Sequence, residues 1–326
     1  MATIHDVAKL AGISRTTVSR VLNCHPYVAE EKKRKILKAM KQLNYVPNSS
    51  AQRLRKVKTD TIAVFVPRIT NPFFSHLVEV MEKEAAKYGY KLILCQTHYN
   101  KEQEGKFLDL LKTKQVDGVI LTSIENEWKH IKPYVNDGPI VICNEYDDEA
   151  HVPSIFLNQV EGGYLGTKHL IDCGYKRIAY CAGSERRSRL TRDRRKGFKT
   201  AMREAELAVD KDWYLFNAIS IEDGKNVFQR IKSLKNRPDA IFTGSDEVAA
   251  GLLKAAKDSG WRVPEDLAII GFDNQPLAEL LGLSTVKQPI EDMARHTMQE
   301  MICAINGKVP KESTNLSFQL IQRSTT

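Results

Sequence analysis

A chain of 326 residues with 42% hydrophobic and 27% charged side chains suits a small module beside a larger two-lobed globular body. No run approaches the roughly 20 apolar residues of a membrane span, and Met1 to Asp6 has neither the basic nor the apolar part of a secretory leader, so a cytoplasmic protein is expected, with no membrane partner. The net charge of +9 is localised: residues 1–58 carry thirteen Lys and Arg against Asp6, Glu30 and Glu31, a balance of +10, which leaves −1 for the other 268 residues.

At the N-terminus, Ile4, Val7, Ala8 and Ala11 recur at helical spacing until Gly12 breaks the pattern. Ser14 is an N-cap for a second helix with Val18, Val21 and Leu22 inward, and His25-Pro26 ends it. A third helix runs from about Glu30 to Leu43, buried through Ile36, Leu37, Met40 and Leu43. Pro47 and Asn48 stop it, and Ser50 to Lys56 offers one or two further turns, too few to be stable alone in water.

From Thr61 onward, short apolar runs alternate with amphipathic ones. Strands are expected at 62–66, 91–95, 118–121, 140–143, 155–157, 177–181, 213–216, 240–243 and 267–270, with a last one in 316–321. Helices are expected at 74–88, 101–114, 160–172, 194–204, 222–234 and 246–259. That rhythm means α/β architecture with doubly wound parallel sheets, and the strand number favours two lobes over one sheet. The six cysteines (24, 95, 143, 173, 181 and 303) form no CxxC pair and no metal-ligand spacing, so reduced thiols, no metal and no cofactor are expected.

The first two helices fit a helix-turn-helix, whose second helix enters the major groove. Arg15, Thr16 and Thr17 occupy the first turn of that helix beside Ser14, and Ser19 and Arg20 follow one turn on. Arginine can donate two hydrogen bonds to guanine, and threonine can bond a base edge or touch a thymine methyl. The localised charge supports a polyanion at this module.

Thr3 to Ser14, then Thr17-Val18-Ser19-Arg20-Val21-Leu22-Asn23, and Leu43 to Asn48 resemble the headpiece of the LacI/GalR family of bacterial regulators. The resemblance extends along the whole chain. It implies a sequence-specific DNA-binding regulator, most often a dimeric repressor on a palindromic operator of double-stranded DNA. Arg15 and Thr16 then hold the operator-selecting positions and Arg20 contacts a base, with Thr3, Asn23, Tyr45, Asn48 and Ala51 completing the DNA-binding set. By the same resemblance, Ser50 to Lys56 match a hinge helix that folds on DNA, and Leu54 is its minor-groove wedge. Folding coupled to binding makes the hinge a control point.

The resemblance implies a core like periplasmic sugar-binding proteins, under a headpiece at 1–47 and a linker at 48–58. The core spans 59–326, with one lobe at about 59–158 and 290–317 and the other at 159–288 and 318–326. A small sugar-like effector is expected in the cleft between them, at the carboxyl ends of the strands. Asn71, Phe73 and Phe74 follow the first strand, and the two aromatics either face a ligand or belong to the core. By resemblance, Arg194 and Asp273 are the effector-binding pair, and Arg189 and Thr191 match effector-loop positions. Asn144, Asn158, Ile219 and Ser245 depart from the family's usual residues, which weakens the case for a neutral sugar. Arg186, Arg187, Arg189, Arg192, Arg194, Arg195 and Lys196 crowd into one short run. That run suits an anionic effector such as a sugar phosphate or sugar acid, and equally a solvated loop or an acidic docking partner.

Residues 22–28 and 245–251 resemble the catabolite-control branch, which implies a phosphorylated carrier protein as an alternative corepressor. No leucine-heptad tail follows the last strand, so a homodimer is expected, nucleoid-associated when bound. Enzyme motifs are lacking: Val66 to Asn71 has no glycine for a dinucleotide, and there is no P-loop, nucleophile elbow or HExxH. A solute-binding transport protein, the other alternative, has no use for a basic headpiece.

Overall fold

The structure, a computed structural model, describes residues 2–22, 27–45, 58–185, 188–308 and 316–326, in two units, Met1–Thr59 and Asp60–Thr326. In the first unit, Thr3 and Asp6 cap each other at the start of α1 (Ile4–Ala11), with Thr3 N donating to the Asp6 carboxylate at 2.8 Å and Asp6 N to Thr3 Oγ1 at 3.3 Å. Gly12 ends α1 at φ 64°, a left-handed conformation that favours glycine. Ser14 Oγ then accepts from Thr17 N at 3.3 Å at the head of α2 (Arg15–Leu22). Val7, Ala8 and Val18 meet Ile36 and Ala39 of α3 (Glu30–Gln42) in a small apolar core. Leu37 does not join it and is 50% exposed. Ala39 lies three residues beyond Ile36 and shares its face, whereas Leu37 is turned about 100° away.

The second unit begins with β1 (Thr61–Val66), a wholly buried run of the kind found in parallel sheets covered on both faces. α4 (Pro72–Lys87), β2 (Lys91–Gln96), α5 (Lys101–Lys112), β3 (Gly118–Leu121), α6 (Trp128–Ile131), β4 (Ile140–Cys143) and β5 (Ser154–Ile155) follow. The five strands form a parallel sheet of order β2-β1-β3-β4-β5. After it come α7 (Gln159–Asp172), β6 (Ile178–Cys181), α8 (Arg189–Glu204), β7 (Tyr214–Leu215), α9 (Ile221–Ser233), β8 (Ala240–Thr243) and α10 (Asp246–Asp258). β9 (Ala268–Asp273), α11 (Pro276–Leu280), β10 (Ser284–Lys287), α12 (Ile290–Ile305) and β11 (Gln319–Ile321) complete the chain. The second sheet has the order β11-β10-β9-β8-β6-β7, parallel throughout except that β11 runs antiparallel to β10.

α12 returns to the first sheet, where it packs on α4, β3, β4 and β5. Neither α12 nor β10 is among the expected elements. α12 carries an open helical signal in Ile290, Met293, Ala294, Met298 and Met301. β10 does not, because Ser284 and Thr285 are polar yet fully buried, satisfied by Thr325, Thr326 and Asp246 from distant segments. α8 starts five residues before the expected 194, because Ser188 caps it by accepting from Thr191 N. α7 and α8 touch backbone to backbone: a Cβ on Gly163 would lie 2.1 Å from the Arg194 carbonyl, and one on Gly197 1.9 Å from that of Val160. Among the described cysteines, Cys95, Cys143 and Cys181 are buried, Cys303 is half-buried and Cys173 is exposed, all of them free.

Candidate ligand cleft and nucleic-acid face

In the first unit, the exposed side of α2 presents Arg15, Thr16 and Arg20. Arg15 and Ser19, like Thr16 and Arg20, are four residues apart and so share a side of the helix. Ser14 and Thr17 join each other at the cap, their hydroxyls 2.9 Å apart, and Thr3 caps α1. Tyr45 packs partly buried against the small core. Asn23, Asn48, Ala51 and Leu54 lie outside the described residues. Along α3, Lys33 and Lys35 pair with Glu30 and Glu31 at 3.4 and 2.9 Å, so part of the module's charge is internally offset.

In the second unit, the carboxyl ends of both sheets converge on a cavity of about 780 Å³, within the usual range for small-molecule sites. Behind β1, Asn71 caps α4 by accepting from Phe73 N at 2.8 Å. The Phe73 and Phe74 rings meet edge to face at 5.1 Å, serving both as core and as cavity wall. Tyr99 follows β2, Ser123 and Glu125 follow β3, and Asn144 and Glu145 follow β4. The second sheet contributes Glu185, Thr191, Arg194, Asn217, Ile219, Ser245, Asp273 and Gln288. Tyr99, Asn144, Asn217 and Asp273 are four of the ten non-glycine residues with positive φ among those described, so backbone strain gathers at this cavity.

Arg194 is fixed from three sides. Its Nε donates to Gln159 Oε1 at 2.7 Å and its Nη1 to the Gly244 carbonyl at 2.9 Å, while the guanidinium lies 3.8 Å over the Phe272 ring. Asp273, at φ 101°, accepts from Gln288 Nε2 at 2.7 Å and from Gln275 Nε2 at 3.1 Å. Burial lifts its carboxyl to about 6, with nearby Arg194 opposing that rise. Behind the pair, Asp246 is buried, accepting from Thr285 Oγ1 and Gln275 N at 2.7 Å each, and burial raises it well above the usual range.

Of the alternatives for the basic run, the structure favours partners outside the cleft. Among its described cations Arg194 alone lines the cavity. Arg189 leaves the cavity wall to pair with Asp148 at 2.6 Å, its guanidinium 4.0 Å from the Tyr146 ring. Arg195 pairs with Glu185 at 2.6 Å, Lys196 with Asp193 at 2.8 Å, and Arg192 donates to the Glu185 carbonyl at 2.8 Å. Arg186 and Arg187 lie outside the described residues. An anionic effector therefore loses its support, because successive residues of a helix face different directions and most of these charges turn from the cleft. Asn158 also stays outside the wall and caps α7 by accepting from Val160 N at 3.2 Å. Among the wall residues that sequence reasoning missed are Tyr99, Ser123, Glu125, Glu145, Glu185, Asn217 and Gln288. Their position directly beyond strand ends is the signal that could have found them.

Among the described residues no helix is long and apolar enough to cross a membrane, and no group of His, Cys, Asp and Glu is arranged to hold a metal ion. Residues 59–311 match the model for periplasmic binding proteins and the sugar binding domain of the LacI family, and residues 3–48 match that of the bacterial regulatory proteins of the lacI family. The chain is 42% identical over 330 residues to the NTD biosynthesis operon regulator NtdR of Bacillus subtilis (strain 168), covering 100% of both. Among solved structures it resembles a LacI family transcriptional regulator from Lactobacillus casei with bound sucrose, at TM-score 0.77 and 30% identity over 82% of this chain and 99% of that one. It also resembles the transcriptional regulator CelR in complex with cellobiose, at TM-score 0.69 and 26% identity over 100% of both chains.

Proposed function

Because the chain belongs to the LacI family of bacterial regulatory proteins, we propose that it is a dimeric repressor that occupies a palindromic operator under the control of a sugar-like molecule held in the cleft. The observation that carries this reading is the cavity of about 780 Å³ at the carboxyl ends of both sheets, with Arg194 and Asp273 fixed in its wall. Its aromatic faces suit the C–H side of a sugar ring, and its buried polar groups suit hydroxyls. Two similar regulators hold sucrose and cellobiose, and the first of them is also found with glucose, which supports a sugar of one or two rings as the ligand.

On the DNA side, Arg15, Thr16 and Arg20 read base edges in the major groove, and Leu54 wedges the minor groove at the operator centre. Half-sites one helical turn apart call for a two-fold dimer. The protein acts in the cytoplasm, on the chromosome. Ligand in the cleft changes the angle between the two sheets, and the hinge residues before the core fold on DNA only in one arrangement. The alternative, a phosphorylated carrier protein as corepressor, rests on two short segments. In one of them, Ser245 and Gly251 already serve the fold, as the cap of α10 and the contact with the Ile221 carbonyl.

Selection from a random DNA pool tests the proposal. It should enrich an inverted repeat, and sugars added to that complex should change its affinity. No enrichment sinks the operator reading, and an affinity that no sugar moves sinks the cleft as the control site.

A further inference from the structure

The charge inside the cleft is opposite to that of the basic run beside it. Among the described residues Glu125, Glu145, Glu185 and Asp273 line the cavity against one cation, Arg194. Glu185 is engaged by Arg195, and Asp273 by Gln288 and Gln275. Glu145 is different: no described residue hydrogen-bonds to its carboxyl or forms an ion pair with it. Burial raises that carboxyl to about 8, with the neighbouring Glu125 adding to the rise and Arg192 opposing it.

The adjoining wall is also incomplete. Asn144 is 4% exposed and Ser123 5%, yet Asn144 Oδ1 and Ser123 Oγ have no hydrogen-bond partner. Asn144 Nδ2 donates to the Thr122 carbonyl at 3.3 Å, which leaves Oδ1 as the free end of the amide. Strands β3 and β4 are neighbours with Leu121 opposite Ile142, so Ser123 and Asn144 sit at matching positions two residues further on, with Glu145 next. Leaving such groups buried and unmet costs free energy, which a ligand can recover. Their chemistry selects that ligand: a carboxyl that an adjacent cation keeps ionised, an amide oxygen and a hydroxyl are three acceptors, and an ammonium group is three donors. A metal ion does not fit, since no described group of His, Cys, Asp and Glu is arranged for one.

We propose that the cleft takes an amino sugar, whose ammonium group is received by Glu145, Asn144 Oδ1 and Ser123 Oγ, with Arg194 and Asp273 left to bind hydroxyls. This rests on the reading of the cleft as a sugar site and adds the charge that its ligand bears.

The test is calorimetric titration of the full chain with the β-1,4 dimer of glucosamine, its N-acetylated form, cellobiose and glucose 6-phosphate. The amino dimer is expected to bind at least tenfold more tightly than the N-acetylated dimer or cellobiose. Glu145→Gln, checked for folding by thermal unfolding, should bring the three dimers to within threefold of one another. Cellobiose, the N-acetylated dimer or the phosphorylated sugar binding as tightly as the amino dimer overturns the inference and leaves the sugar site standing. Equal losses for charged and uncharged dimers in Glu145→Gln also overturn it. Binding by none of the four removes the inference together with the sugar reading on which it rests.

Discussion

Arg68, on the loop after β1, reaches across the cleft to Glu247 of α10, its Nη2 donating to Oε2 at 2.5 Å and to the Ile219 carbonyl at 2.8 Å. A second bridge pairs the two sides elsewhere, with Tyr146 donating to Asp193 Oδ2 and Arg189 to Asp148 Oδ2, each at 2.6 Å. These links join the first sheet's loops to the helices of the second, and so bridge the cleft. A charged hydrogen bond of this kind contributes about 1.5–3 kcal/mol, and the Arg68 and Glu247 side chains are only 23% and 10% exposed. Arg68→Ala is expected to widen the cleft, read as a larger radius of gyration in small-angle scattering. An unchanged radius argues against the latch.

On α2 the neighbouring residues Ser14 and Arg15 separate into two kinds of role. Ser14→Ala removes an N-cap and should lower headpiece stability by about 1 kcal/mol while leaving sequence preference intact. Arg15→Ala should instead relax base preference at one operator position by about 1–3 kcal/mol with little loss of stability. Unfolding and binding to single-base operator variants distinguish them. The reverse pattern would exchange the two assignments.

Leu54→Ala should weaken specific operator binding by about 2 kcal/mol, roughly thirtyfold, with non-specific binding and core unfolding unchanged. Full operator affinity in this variant would remove the wedge.

Packing of α7 on α8 leaves no room at Gly197, where a Cβ would meet the Val160 carbonyl at 1.9 Å. Gly197→Ala is expected to cost about 3 kcal/mol in denaturant unfolding, since two backbones must separate. Because Arg194 lies on the same helix, ligand affinity should fall as well. Wild-type stability would show that the helices are further apart than this contact implies.

Stability should also depend on pH through the buried carboxyls. Asp273 and Glu145 are raised to about 6 and about 8, chiefly by burial, so the folded chain keeps protons that the unfolded chain has already released. Their contribution is fully present below the unfolded values, and it is lost as pH rises through the folded ones. For Glu145 the loss approaches about 1.4 kcal/mol per pH unit between roughly pH 4.5 and 8. Glu145→Gln should therefore match the parent near pH 4 and exceed it above pH 8 in unliganded unfolding. A constant difference across that range would contradict the burial argument.

Much of this was legible locally. Gly12 and Ser14 punctuate the helix-turn-helix through backbone conformation and capping, which a few adjacent residues determine. Unbroken apolar runs such as Ile140–Cys143 mark parallel strands, because both faces of such a sheet are covered. The localisation of the +10 charge in residues 1–58 is a property of composition alone. The sign of the cleft's charge was not available in that way. Seven cations lie within residues 186–196, yet Arg194 is the one that lines the cavity among those described, because helix geometry sends its neighbours toward Asp148, Glu185 and Asp193. Ser123, Glu145, Asp273 and Gln288 are separated by up to 165 residues in sequence, and they meet only because the ends of parallel strands share one edge of their sheets. Sequence determined where the chain turns, what it buries and where its charge accumulates, all of which depend on neighbours along the chain. Which carboxylates converge and which cations turn away was decided by long-range strand order and close helix packing, and those contacts set the chemistry of the cleft.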